Sequence, residues 1–171
     1  MGVSFYGVLE YVVYDSAQSF ARVNISRDYD LFNAIAFGDG GVTEDLPYPP
    51  RGLPANLSLD SHELFFTDPD AIKEYLELSR LDDEEESTIE GYLEGWDEWA
   101  IREYNTIGSL PTPETYSHSW LNLNELKKAL AHRNVSIDKR PVDVRAMFAA
   151  MEMLAQEYGP ENVRLVFCFG M

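Results

Sequence analysis

Cysteine, basic residues and long apolar runs are all scarce in this chain of 171 residues. The one cysteine, Cys168, cannot form an internal disulfide, so we interpret it as a small apolar side chain packed in a reducing compartment. No apolar run approaches the roughly 20 residues of a membrane-spanning helix, and the first residues lack the basic segment of a secretory signal. These absences predict a cytoplasmic protein without a membrane partner.

Lysine and arginine together number 13 against 30 aspartate and glutamate residues, which gives a formal net charge of −17. Each phosphate contact in nucleic-acid binding needs a cation, so direct binding to nucleic acid is disfavoured. The acidic residues are unevenly distributed along the chain. Fifteen of the 30 acids lie between Asp60 and Glu98, where only Lys73 and Arg80 oppose them. Such a concentrated negative field influences which partners can approach the protein.

The remaining composition is that of a folded domain. Hydrophobic residues make up 45% of the chain and aromatic residues 13%, which is typical of a globular core. A chain of this length buries roughly 70% of its unfolded surface, so it needs neither a disulfide nor a metal to fold. We predict a single domain over residues 1–171, with an acidic insertion of helices and loops at about 60–104.

Two strands are predicted at opposite ends of the chain. The segment Val3–Tyr14 is apolar and aromatic on both faces, as a central strand is, and Val163–Phe169 has the same character. We therefore expect them to be neighbours in one sheet. Turn residues at Asp15–Ser19 and the alternating segment Phe20–Ile25 predict that the first strand continues into a hairpin.

Apolar spacing and capping residues predict helices between these strands. The helices are expected after Asp28 or Asp30, over Pro69–Arg80, over 88–104, from an Asn122–Glu125 capping box to His132, and over Pro141–Tyr158. The connections 42–61 and 105–119 are expected to be irregular. The predicted class is α+β: a small antiparallel sheet formed from both chain ends, packed by a long C-terminal helix, with a helical, loop-rich middle.

No sequence motif predicts catalysis, so we expect neither a catalytic residue nor a cofactor. The chain has no phosphate-binding glycine loop and no nucleophile elbow. Its histidines, His62, His118 and His132, lack the spacing of zinc ligands. The Asp28-Tyr29-Asp30 cluster could offer oxygens to a divalent cation, but helix capping explains it with fewer assumptions, and we expect no metal.

One group of polar and aromatic residues could form a pocket for an anion. Each member is predicted to lie in a loop or at a helix start, where donors are free. The group is Arg27, Tyr29, Arg51, His118 and Trp120. If these segments converge, they would bind a small anionic nucleotide. The alternative is that Arg27 and Arg51 pair with local carboxylates and hold their loops in place.

The acidic segment contains the second candidate site. Its candidate partner-binding residues are Asp82, Asp83, Glu84, Glu85, Glu86, Glu90, Glu94, Asp97 and Glu98. Spaced carboxylates can imitate a phosphate backbone and occupy a basic groove. The alternative is a face that serves only solubility. The stripe Ile89-Tyr92-Trp96-Trp99 within this segment also has two interpretations, as core residues or as anchors of an interface.

Four short segments carry a resemblance to a known group of proteins. They are Phe5–Glu10, Arg27–Phe32, Arg51–Pro54 and Ser117–Leu121. In their residues and in their order along the chain, they resemble segments of small uncharacterised proteins of bacteriophages and their bacterial hosts. The resemblance implies a phage or prophage accessory protein acting in the bacterial cytoplasm, and it implies no catalytic role.

These observations favour a non-enzymatic protein that binds a host protein with a basic surface through its acidic face. Such a protein would act as an antagonist of a host factor or host defence. The alternative hypothesis is a binder or sponge of a small anionic nucleotide, which would use the arginine, histidine and tryptophan pocket.

Overall fold

The computed structural model describes residues 2–78 and 88–171. In these residues the strands are β1 (Ser4–Val13), β2 (Ser16–Val23), β3 (Phe66–Thr67), β4 (Leu110–Pro111), β5 (Thr115–Asn122) and β6 (Val163–Gly170). The α-helices are α1 (Tyr29–Phe32), α2 (Leu59–Phe65), α3 (Pro69–Leu78), α4 (Ile89–Glu94), α5 (Glu98–Ile107), α6 (Leu123–His132) and α7 (Val142–Tyr158). A π-helical turn (Asn33–Phe37) continues α1, and 3₁₀ turns occupy Ile137–Lys139 and Pro160–Asn162. The predicted α+β class is confirmed.

Strands β1 and β6 form the centre of an antiparallel sheet whose strand order is β2-β1-β6-β5. Leu9 lies opposite Leu165, and Glu10 lies opposite Arg164. Strand β6 is buried along its whole length and β1 is buried at residues 7–10, which explains why both strands are nearly continuous apolar runs in the sequence. The prediction that the two chain ends meet as neighbours in one sheet is confirmed.

Successive residues of β6 point alternately into two separate hydrophobic cores. Leu165 and Phe167 belong to the larger core, whereas Val166 and Cys168 belong to the smaller one. All residues of β6 are buried. Because neighbouring side chains of a strand point to opposite faces, the sheet is a middle layer with helices on each side.

The larger core holds α6, α7 and the α1 segment against the sheet. The longest helix, α7, contributes Val144, Met147, Phe148 and Met151. This confirms the predicted packing of a long C-terminal helix on the sheet. Helix α6 begins with the predicted capping box, in which Asn122 and Glu125 each accept a hydrogen bond from the other's backbone N–H at 2.9 Å.

The smaller core joins the middle of the chain to the opposite face of the sheet. Phe65 at the end of α2 and Trp99 of α5 pack there against strand residues. A third cluster, formed by Ile72 of α3, Ile89 of α4 and Leu110 of β4, lies within the acidic part of the chain. Helix α5 therefore packs on the sheet through Trp99, while α3 and α4 pack in the third cluster.

The predicted turn of the first hairpin is wrong in length. The chain reverses at Tyr14 and Asp15, whose φ angles are 50° and 63°, and β2 already begins at Ser16. Two consecutive residues with positive φ form the tight turn that matches the twist of a hairpin. The sequence does not show this turn, because neither position is glycine or asparagine.

Two predictions for the middle of the chain also need correction. Residues 88–104 do not form one helix. The helix is interrupted between Glu94 and Glu98, which separates α4 from α5. Residues 105–119 are not irregular throughout, since they contain β4 and the first half of β5. His118 and Trp120 therefore lie within a strand of the main sheet, and not in a loop before a helix.

Candidate functional site

Arg51 is fixed by partners at the edge of the sheet. Its terminal guanidinium nitrogens donate to the Glu125 carboxylate at 3.1 and 2.7 Å, and its Nε donates to the Trp120 carbonyl at 3.1 Å. Its guanidinium carbon lies 3.7 Å from the centroid of a Trp120 ring. A guanidinium with a bidentate carboxylate and a stacked indole has few donors left for an anionic ligand. For Arg51 the structure matches the alternative in which the arginine holds its loop in place.

A buried ion pair lies beneath the same indole. The guanidinium carbon of Arg164 is 5.6 Å from the Trp120 ring centroid. Arg164 donates from Nε to Glu10 Oε2 at 2.7 Å, and the two side chains are 6% and 0% exposed. The other carboxylate oxygen, Oε1, accepts from the Ser58 N–H at 2.8 Å and the Ser61 hydroxyl at 2.5 Å. This network joins β1, β6 and the start of α2.

His118 lines a cavity of about 260 Å³, which we call the aromatic cavity. Its walls include Trp96 and Trp99, and Asp97 and Ser117 also line it. The His118 ring centroid lies 5.3 Å from that of Trp96 and 4.8 Å from that of Trp99. The two indoles meet edge to face, with centroids 5.8 Å apart and planes 87° apart. Three aromatic rings are thus gathered around one cavity.

The backbone around the aromatic cavity is irregular in two places. Strand β5 contains a bulge, in which Ser117 and His118 together lie opposite Cys168, and Ser117 has a φ of 51°. Bulges of this kind redirect a side chain from the regular pleat. Gly52 has a φ of +78°, and a Cβ at this position would lie 2.2 Å from Cδ1 of Trp99. Only glycine therefore lets the loop pass over the indole.

His118 is held in its neutral form. Burial lowers the pKa of His118 from 6.5 to about 3. Its Nε2 lies 3.2 Å from the hydroxyl of Thr115. That hydroxyl donates a hydrogen bond to the Thr112 carbonyl at 2.5 Å. The hydroxyl must therefore accept from His118, which places the ring proton on Nε2. A neutral imidazole adds no positive charge to an anion pocket.

We expect the protein to become less stable as the pH is lowered, because of His118. Its pKa is lower in the folded state, so the unfolded state binds the extra proton between about pH 6.5 and pH 3, and folding is weakened as the pH falls through that window. From pH 7 to pH 5 this linkage removes about 2 kcal/mol. Urea unfolding of wild type and of His118→Gln at both pH values measures it. The variant should lose about 2 kcal/mol less than wild type, and equal losses in the two proteins would contradict the assignment.

Arg27 and Tyr29 lie away from the other members of the predicted anion pocket. Arg27 lines a different cavity, of about 400 Å³, together with Arg22 of β2. Tyr29 is 50% exposed and contacts Phe32 edge to face, with centroids 5.9 Å apart. The structure therefore brings Arg51 and Trp120 together but separates Arg27 from His118. The five residues do not share one pocket.

The acidic candidates that the structure describes are all exposed. Glu90 and Glu94 lie on α4, while Asp97 and Glu98 lie at the start of α5. Across residues 2–78 and 88–171, none of these four carboxylates forms an ion pair. The other five candidates, Asp82, Asp83, Glu84, Glu85 and Glu86, lie outside the described residues. The four described carboxylates thus carry unneutralised charge at the surface.

The aromatic stripe beside these acids packs inward. Ile89 and Tyr92 join the third cluster, and Trp96 and Trp99 join the smaller core. The Tyr92 hydroxyl donates to the Pro111 carbonyl at 2.7 Å. The core interpretation of the stripe therefore holds, although Trp96 stays partly exposed where it borders the aromatic cavity.

Comparison with known proteins gives no relative. No family model, no curated protein and no solved structure matches the chain. Within the described ranges, no three or more histidine, cysteine, aspartate or glutamate side chains are grouped so that they could hold a metal ion. The same ranges contain no helix with both the length and the hydropathy to cross a membrane.

Sequence reasoning missed the aromatic cavity. The sequence predicts Trp96 and Trp99 as core or interface residues and His118 as part of an anion pocket. A histidine and two tryptophans distant in sequence come together only because the β5 bulge and Gly52 shape the backbone between them. The one available indication is the pair of acidic residues, Asp97 and Glu98, between the two tryptophans.

Proposed function

We propose that this protein binds a partner protein with a basic surface through an acidic face carried by α4 and α5. Glu90, Glu94, Asp97 and Glu98 define this acidic face among the described residues. The observation that supports the proposal most is that all four are exposed and that none is paired with a cation in the described part of the chain. Unpaired carboxylates keep their full attraction for a basic partner.

Helix stability accounts for some of these acids but not for all of them. Glu90 and Glu98 lie in the first turns of their helices, where negative charge stabilises the helix dipole. Glu94 is the last residue of α4, at the end where negative charge is unfavourable. It also repeats the charge of Glu90 four residues later, a pair that destabilises a helix. Folding gives no reason for this placement, whereas binding to a basic surface does.

The partner we propose is a host protein whose basic groove normally holds nucleic-acid phosphates. Regularly spaced carboxylates on a helix can occupy such a groove, and the association is fast and sensitive to salt. The resemblance to phage proteins favours a host factor as the partner. The nucleotide-binding alternative has less support, because Arg51 is already paired and His118 is neutral.

Neutralising the acidic face is expected to weaken binding at least tenfold, which corresponds to about 1.4 kcal/mol. The test variant carries Glu90→Gln, Glu94→Gln, Asp97→Asn and Glu98→Gln. Nucleic-acid-binding proteins of a bacterial host are captured on wild type, and one purified partner is then titrated at several salt concentrations. Duplex DNA should compete with the protein for that partner.

A matched variant removes the same number of charges from exposed acids elsewhere. It carries Glu44→Gln, Asp45→Asn, Asp138→Asn and Glu157→Gln, all at exposed positions outside α4 and α5. This control should bind within about threefold of wild type, because the lost charges lie outside the proposed contact. Equal weakening by both variants, or binding that ignores salt and DNA, would show that the acidic face is not the contact surface.

A further inference from the structure

The aromatic cavity has the chemistry of a site for a cation. Trp96, Trp99 and His118 supply three ring systems, and indole is the side chain that attracts cations most strongly through its ring. The cavity is smaller than the roughly 300 Å³ at which pockets for drug-sized ligands begin. It therefore suits a compact head group better than a nucleotide.

Asp97 adds a carboxylate to the wall of this cavity. It occupies the position before α5, where an aspartate side chain normally accepts a hydrogen bond from the helix. Here the side chain makes no such bond, and within the described residues it forms no ion pair. The carboxylate is therefore free to face a cation beside the indoles of Trp96 and Trp99.

We propose that the aromatic cavity binds a small organic cation of the quaternary ammonium class. The methyl groups of such a cation pack on indole rings, and its charge interacts with the rings and with the Asp97 carboxylate. A primary ammonium is more strongly hydrated and loses more on entering a partly buried site. The neutral imidazole of His118 adds a ring without adding a repelling charge.

The negative charges around the aromatic cavity would repel an anionic ligand there. Asp97 lines the cavity, Glu98 directly precedes Trp99, and Glu94 lies two residues before Trp96. This site shares Asp97 with the acidic face proposed above, but its two indoles and its imidazole play no part in that contact. Failure of one proposal therefore leaves the other standing.

The experiment compares choline with its neutral carbon isostere, 3,3-dimethylbutan-1-ol, on the full chain. Both have the same shape, and only choline carries charge. Two-dimensional NMR of the indole N–H groups follows each titration, so that Trp120 serves as an internal reference outside the cavity. We expect saturable shifts of the Trp96 and Trp99 signals with choline, and an affinity for the isostere at least about tenfold weaker.

Two variants test whether Asp97 and Trp96, which line the aromatic cavity, bind the cation. Asp97→Asn should weaken choline binding by about threefold to tenfold, while Glu157→Gln, which removes an equal charge from an exposed position outside the cavity and the acidic face, should leave it unchanged. Trp96→Leu should abolish binding, and Asp97→Asn covers the case in which that variant fails to fold.

The quaternary ammonium could come from a free small molecule or from a trimethylated lysine side chain. Titration with N-acetyl-trimethyllysine amide distinguishes these sources. Tighter binding of choline favours the small molecule, and tighter binding of the lysine derivative favours a modified side chain. Equal shifts with choline and its neutral isostere, or no saturable shift with either cation, would overturn the proposal.

Discussion

Replacing Glu10 with alanine is expected to destabilise the protein by about 3–5 kcal/mol. Glu10 is fully buried, and its carboxylate is the partner of the buried Arg164 guanidinium. The substitution leaves that charge without compensation and also removes the acceptor of the Ser58 N–H and the Ser61 hydroxyl. The loss combines an unpaired charge with unsatisfied donors, so it exceeds the value of one ordinary hydrogen bond.

Urea unfolding followed by circular dichroism measures this loss. The matched control is Glu152→Ala, which breaks an exposed pair whose Lys127 Nζ lies 2.6 Å from the carboxylate, and it should cost at most about 1 kcal/mol. The double variant Glu10→Leu with Arg164→Met should recover the part of the stability that the unpaired charge costs, because it removes both buried charges together. A cost for Glu10→Ala similar to that for Glu152→Ala would mean that the pair is not buried as described.

Phe169→Ala is the second large expected effect, at about 3–5 kcal/mol. Phe169 is fully buried, and its ring contacts those of Phe32 and Phe37 at centroid distances of 5.0 and 4.5 Å. It also packs edge to face on Phe5 at 5.6 Å. Truncation therefore leaves a void where β1, β6 and the α1 segment meet, and these aromatic rings cannot collapse to fill it.

The same substitution at an exposed phenylalanine provides the control. Phe20 of β2 is 54% exposed, so Phe20→Ala should change the unfolding free energy by about 1 kcal/mol or less. Thermal and urea unfolding of both variants give the comparison. If the two alanine variants unfold at the same urea concentration, the aromatic cluster is not the centre of the larger core.

Strong local patterns made much of the fold predictable. The apolar character of Val3–Tyr14 and Val163–Phe169 identified both central strands, because a strand covered on both faces has no polar side. The stripe on α7 and the capping box of α6 located the helices that cover the sheet. In each case the local sequence and the final environment agree.

Strand β5 was missed for a physical reason. Its bulge at Ser117 and His118 breaks the two-residue alternation that reveals a strand, and its residues Ser117–Trp120 resemble a loop in composition. The positive φ of Ser117 depends on pairing with β6, which is distant in sequence. Local composition cannot encode such a pairing, so the loop assignment of His118 was wrong.

The buried ion pair was partly visible beforehand. The segments Val3–Tyr14 and Val163–Phe169 each contain one charged residue, Glu10 and Arg164, and the two charges have opposite sign. A single charge in an otherwise apolar strand indicates a buried partner. The register that places the two residues opposite each other becomes known only from the sheet.

The sheet order also governs how the chain can acquire its structure during synthesis. The β1–β2 hairpin leaves the ribosome early, but the strand that fills the place between β1 and β5 is β6, and its Arg164 follows Glu10 by 154 positions. Until β6 is translated, the inner edge of β1 and the whole larger core lack their central strand. Long-range pairing of this kind slows folding and exposes apolar edges to aggregation. We therefore expect the apolar surface of β1 that β6 covers to stay exposed until β6 has been synthesised.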